Sequence, residues 1–213
     1  MSAPTRLLVI RHGETEWNVA GRIQGHLDSP LTARGRAQAE AVARHLSREG
    51  PLAAIVASDL ARTHATAAPT ARAAGLTIAS DVRLRERHLG LFQTHTFTEA
   101  AARWPALWAR YRARDIELDL DGGESLVTVR DRVAAALHDI AARHAGETVL
   151  VVTHGGVLDQ VYRLATALPL DAPRTFEIEN ASLNRLEWRD GVLRLVAWGE
   201  PIGGDAVQAP AEF

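Results

Sequence analysis

The sequence predicts an α/β protein, a three-layer sandwich in which a mostly parallel central sheet is flanked by helices. Three short apolar runs carry the prediction: Leu7-Leu8-Val9-Ile10, Ala53 to Ala57, and Thr148 to Val152. Each is continuous rather than alternating, the pattern of a strand buried on both faces of a parallel sheet. Between the runs lie apolar stripes of helical period, Ala39, Val42, Ala43 and Leu46 in one, Leu126, Val129, Val133, Leu137 and Ile140 in another. Strands that alternate with helices build this class of sheet. A chain of 213 residues, 46% of them apolar, suits one core, so a single domain over residues 1–213 is expected.

In chain order, the first strand ends at Arg11-His12-Gly13, and Thr32 is placed to cap the following helix, with Gly50 as its stop. The second strand leads into Ser58-Asp59, candidate N-caps for a helix beginning near Leu60, which Pro69 should kink or split. From about residue 96 to 123 the pattern loosens, with Trp104, Pro105, Trp108 and Tyr111 beside several Arg, which reads as a small helical insertion over the sheet. The approximate helical spacing of those aromatics is the signature of packing more than of a substrate lid. The long stripe ends at Gly146, and the third strand runs into Thr153-His154-Gly155-Gly156. Residues 183–188 and 192–196 flank Arg189-Asp190-Gly191, a turn signal for an antiparallel hairpin, and about 200–213 reads as a loose tail.

Composition excludes whole classes of chemistry. All 24 Lys+Arg positions are Arg, which removes Schiff-base and P-loop lysine chemistry. The absence of Cys removes disulfides, thiol nucleophiles and Cys-containing zinc sites. A net charge of -2 gives no general reason to expect nucleic acid or an anionic membrane as partner. Met1 to Thr5 lacks the basic start and apolar core of a signal peptide, and no apolar run is long enough to span a bilayer, so a cytoplasmic location is expected. No joint placement of His26, His45, His64, His88, His95, His138 and His144 specifies a metal, and none is expected.

The chemistry should lie where the three parallel strands end. In open α/β sheets ligands bind beyond the carboxyl ends of the strands, so His12, Arg62 and His154 can meet in one crevice. Two His and at least two Arg suit a dianionic phosphate better than a carboxylate, because guanidinium groups fork onto its oxygens. Arg11 and Arg62 beside an imidazole disfavour its protonated form, which makes His12 the candidate nucleophile. A leaving alkoxide needs a proton, and Glu86 and Glu14 are the candidate donors.

RHGETEWN at 11–18, SDLARTHATA at 58–67 and VVTHGGV at 151–157, in this order and spacing, resemble the histidine phosphatase superfamily, which includes the cofactor-dependent phosphoglycerate mutases. LTARGRAQA at 31–39, LRERHLG at 84–90 and GGES at 122–125 extend the likeness from about Arg6 to Trp188. The resemblance implies a phosphoglycerate mutase-like fold, His12 as the phosphorylated residue, Arg11, Arg62 and His154 as phosphate ligands, and Glu86 as proton donor and acceptor. His154 is thereby counted with His12 and Glu86 in the catalytic set, and Asn18 resembles a further phosphate-side ligand.

Departures from the family bear on the substrate. Ala65 stands where Gln is frequent, and Gln93-Thr94 replaces a Glu-Gly or Gln-Gly pair. Mutases usually carry Tyr where this chain has Leu89, a substrate-binding Lys downstream and a longer insertion; Arg110, Arg112 or Arg114 either replaces such contacts or forms a solvated helix face. The resulting expectation is a phosphatase acting on a small phosphorylated metabolite through phosphohistidine, without cofactor. The alternative is a mutase dependent on 2,3-bisphosphoglycerate, and a remote one is an inactive phosphate-ligand binding module. The oligomeric state is open, a homodimer being one option.

Overall fold

The structure, a computed structural model, describes residues 3–202. In chain order the elements are β1 (Thr5–Arg11), α1 (Glu16–Val19), α2 (Ala33–Leu46), β2 (Ala54–Ala57), α3 (Ala61–Ala74) and β3 (Ile78–Ser80). Single 3-10 turns at Val82–Leu84 and Gly90–Phe92 follow, then α4 (Phe97–Arg103), α5 (Pro105–Arg112) and α6 (Leu126–Arg143). The chain returns through β4 (Thr148–Thr153), α7 (Gly155–Thr166), β5 (Leu183–Arg189) and β6 (Val192–Glu200).

One six-stranded sheet runs in the order β3-β2-β4-β1-β5-β6. Strands β3, β2, β4 and β1 are parallel, and β5 and β6 are antiparallel additions at one side. Strand alternation divides the core into two layers. Leu7, Val9, Val149 and Val151 pack against α6 and α7 through Val133, Leu137 and Leu158. Leu8, Ile10, Leu150 and Val152 pack against α2 and α3 through Val42, Leu46 and Ala67. That is the three-layer sandwich expected from the apolar runs.

Several local expectations need correction. α3 runs unbroken through Pro69. The carbonyl that loses its helical donor belongs to Ala65, an exposed position where water can replace the bond. The N-cap position of α3 is Leu60 rather than Ser58 or Asp59, and it makes no side-chain cap. Asp28 caps the helix from outside instead, its carboxylate accepting from the backbone N–H of Ala61 at 2.9 Å and of Arg62 at 3.4 Å. Thr32 caps α2 as expected, through Gly35. Gly50 and Gly146 follow the helix ends by several residues and occupy positive-φ turns.

The hairpin turns on Asp190 and Gly191, both at positive φ, the pairing that matches the twist of two antiparallel strands. β6 continues to Glu200, where the expected tail begins; residues 203–213 of that expected tail lie outside the described residues. The insertion is helical, and its Trp104, Trp108 and Tyr111 rings pack 5.9, 6.1 and 5.6 Å from that of buried Phe92. The packing reading of those aromatics therefore holds.

Candidate active site

Parallel register brings the three strand ends together. Arg11 pairs with Thr153 across β1 and β4, His12 N–H donates to the Thr153 carbonyl, and Ser58 N–H donates to that of Val152. The His12 and His154 rings meet edge to face, 5.3 Å between centroids. His12 Nδ1 lies 2.8 Å from the carbonyl of Gly13. A carbonyl only accepts, so Nδ1 carries the proton and Nε2 keeps the lone pair. Burial, then the Arg62 and Arg11 guanidinium groups, hold the His12 pKa well below the ordinary imidazole value despite the Gly13 bond. His12 is thereby held neutral, with the free lone pair on Nε2.

His154 is fully buried, and burial followed by Arg62, His12 and Arg11 also lowers its pKa well below the ordinary value. Neither of its ring nitrogens has a hydrogen-bond partner. An orphaned imidazole inside a ring of arginines is costly unless a ligand completes it.

Arg62 reaches the site from the first turn of α3 while almost wholly buried. Its guanidinium donates to the carbonyls of Gly25 at 2.8 Å and Leu27 at 2.7 Å, and to Asp28 Oδ1 at 2.9 Å. The loop that caps α3 thus also aims its arginine. Arg11 at the end of β1 donates to the Ile178 carbonyl at 3.0 Å.

Of the two candidate carboxylates, Glu86 lines the cavity and Glu14 does not. The Glu86 oxygens accept from Gly156 N–H at 2.9 and 3.1 Å and from Arg87 N–H at 2.8 Å. Its backbone carbonyl is held by His26 Nε2 at 2.8 Å and by Arg132 at 3.0 Å. Gly156 leaves room for the carboxylate where it sits, because a Cβ at that position would come within 2.3 Å of Glu86 Oε1 and displace it. Glu14 instead accepts from the Thr32 hydroxyl at 2.8 Å and from Arg34 at 3.4 Å, tying the chain to the start of α2.

Asn18 is buried at the third position of α1, where its Oδ1 accepts from Thr15 N–H in a capping box. It connects to the site through Asn180, whose Nδ2 lies 3.4 Å from Asn18 Oδ1 and donates to the His12 carbonyl at 2.9 Å. Asn18 does not line the cavity.

The cavity has a volume of about 680 Å³. His12, Arg11, Arg62 and Glu86 form one end; Leu89, Phe97 and Tyr111 near the insertion and Arg174 and Phe176 after α7 form other walls. Of the insertion arginines, Arg112 and Arg114 line it, whereas Arg110 is paired with Asp115 on the surface. Burial is the main reason that the Arg174 pKa falls to about 10; Asp159 opposes the shift while Arg11 and Arg114 add to it. Sequence reasoning missed Arg174 and Gln160. Arg174 sits in an irregular stretch with no period, and Gln160 is indistinguishable by type from any polar residue on a helix surface.

Among the described residues, no group of three or more His, Asp or Glu is arranged to hold a metal ion, and no helix is long and apolar enough to cross a membrane.

A family model described as histidine phosphatase superfamily (branch 1) matches residues 7–201. A metal-independent phosphoserine phosphatase of Arabidopsis thaliana is 37% identical over 201 residues, 93% of this chain and 83% of the relative. A probable phosphoglycerate mutase, GpmB, of Serratia proteamaculans is 35% identical over 207 residues, 94% of this chain and 93% of that protein. The solved structure of a mycobacterial glucosyl-3-phosphoglycerate phosphatase in complex with VO3 superposes with a TM-score of 0.81 at 33% identity, covering 92% of this chain and 99% of the other.

Proposed function

Since the chain belongs to branch 1 of the histidine phosphatase superfamily, an enzyme family acting on small phosphorylated substrates, we propose that it is a metal-independent phosphomonoesterase working through a phosphohistidine at His12. The observation that carries this reading is a neutral, buried His12 with Nδ1 pinned to Gly13, in a cavity end that also contains Arg11, Arg62 and Glu86.

In the first step His12 Nε2 attacks phosphorus and the P–O bond to the alcohol breaks, while Glu86 in its acid form gives a proton to the leaving oxygen. Arg11 and Arg62 take up the charge that spreads over the phosphoryl oxygens, and the one protonated ring nitrogen of neutral His154 supplies a further donor. In the second step water attacks the phosphohistidine, its proton passes to the Glu86 carboxylate, and the P–N bond breaks to return His12. Asn18, through Asn180, steadies the His12 backbone.

The departures at Leu89 and the total absence of Lys favour hydrolysis over the mutase alternative. The test is incubation with 3-phosphoglycerate, with and without 2,3-bisphosphoglycerate, followed by phosphorus NMR. Release of inorganic phosphate that disappears in His12→Ala supports the hydrolase. Formation of 2-phosphoglycerate that depends on the bisphosphate, without phosphate release, would establish the mutase.

A further inference from the structure

Resting on the phosphatase reading, we propose that the alcohol part of the substrate is polyhydroxylated, and that Gln160 recognises one of its hydroxyls about one helical turn beyond the reacting phosphate. Gly156 and Gln160 are four residues apart on α7 and both line the cavity. Residues at that spacing share a helix face and lie about 6 Å apart along the axis. Gly156 N–H holds the Glu86 carboxylate, so Gln160 lies about one helical turn along α7 from the residue that anchors the proton donor.

Gln160 is only 1% exposed, and its Oε1 has no hydrogen-bond partner. The amide cannot turn over to hide the defect. Its Nε2 donates to Asp159 Oδ2 at 3.1 Å, and that oxygen already accepts from Arg114 and Arg163, so Oε1 must remain the unpartnered acceptor. Gln24, the other cavity-lining amide with an unpartnered Oε1, has no such anchor and can turn its NH2 toward phosphate. Gln160 cannot.

A phosphomonoester dianion carries acceptors alone, so a donor that the substrate gives to Gln160 comes from the alcohol. Two donors qualify by chemistry, a hydroxyl and an ammonium. Arg114 and Arg174 share the wall with Gln160. Asp159, the carboxylate that Gln160 contacts, already receives Arg114 at 2.8 Å and Arg163 at 3.0 Å. An ammonium would therefore meet guanidinium groups whose neighbouring anion is taken. A hydroxyl has no such penalty, and a cavity of about 680 Å³ holds much more than a three-carbon alcohol.

The test compares hexitol 6-phosphate with hexyl phosphate, equal in chain length and different only in hydroxyls, with O-phosphoserine as the ammonium-bearing ester and phosphate release as readout. The expected ratio of kcat/KM, hexitol over hexyl ester, is at least tenfold in the wild type. It should fall about tenfold in Gln160→Leu through KM, the size of one lost hydrogen bond to a buried group. The wild-type ratio decides without any variant, so a misfolded Gln160→Leu does not protect the idea. A wild-type ratio near one, a ratio unmoved by a folded Gln160→Leu, or a preference for O-phosphoserine overturns it. If none of the three esters releases phosphate, the phosphatase reading falls and this inference goes with it; release without preference defeats the inference alone.

Discussion

At the scale of single residues, His12 and His154 create a linkage between folding and pH. Both are held neutral in the fold, first by burial and then by arginines, and the pKa of half-buried His26 is also lowered, chiefly by burial. A histidine whose folded pKa is depressed binds its proton more readily when unfolded, so its stabilising contribution is present above the unfolded value of about 6.5 and is lost as pH falls below it. Each such group adds at most about 1.4 kcal/mol per pH unit. Urea midpoints measured from pH 8 to pH 5 in buffers free of phosphate should fall on the acid side, and His12→Asn and His154→Asn should each flatten the slope. A flat wild-type profile over that range would show that the imidazoles are not held neutral. A second residue-scale prediction concerns Gly156→Ala. The added Cβ would stand 2.3 Å from Glu86 Oε1, so the carboxylate must move, and kcat should fall at least tenfold while phosphate still binds. A kcat within twofold of the parent would mean that Glu86 is not held by this contact during turnover.

At the scale of elements, the loop Gln24 to Asp28 and helix α3 depend on each other. Asp28 caps two backbone N–H groups and pairs with the buried Arg62. Asp28→Ala removes both, and the lost cap alone is worth about 1 kcal/mol. Asp28 is about a third exposed, so solvent screens its part of the ion pair and little more should be added. The expected result is a small loss of stability with a several-fold weaker inhibition by vanadate, because Arg62 loses one of its anchors. Unchanged vanadate inhibition would separate the cap from the site. This cap was not legible in the sequence: Ser58 and Asp59 stand where local rules place a cap, and the real one arrives from about thirty positions earlier by tertiary contact. Strand β3 was missed for a related reason. It is three residues long and mostly exposed at the sheet edge, so neither alternation nor an apolar run marks it. The buried strands β1, β2 and β4 were legible because both of their faces must be apolar.

At the scale of the whole molecule, the parallel strand ends explain why so much of the site was readable. Any polar cluster directly after a buried run must lie at that edge, and this rule gathered His12, Arg62 and His154 from distant positions. Glu86, Gln160 and Arg174 come from a loop, a helix face and an irregular segment, where no period carries position. The site is therefore assembled from most of the fold, and an anion bound there should stabilise all of it. Inorganic phosphate at about 100 times its Kd should stabilise the folded chain by about 2.7 kcal/mol, or roughly 5–10 °C in Tm for a chain of this size. His12→Asn leaves the arginines in place and should keep most of the shift, whereas Arg62→Ala should lose most of it, whatever its starting Tm. Differential scanning fluorimetry with and without phosphate reads this difference directly. A shift lost in His12→Asn but kept in Arg62→Ala would mean that phosphate is held by the imidazole rather than by the guanidinium groups, and the division between nucleophile and anion cradle would have to be redrawn.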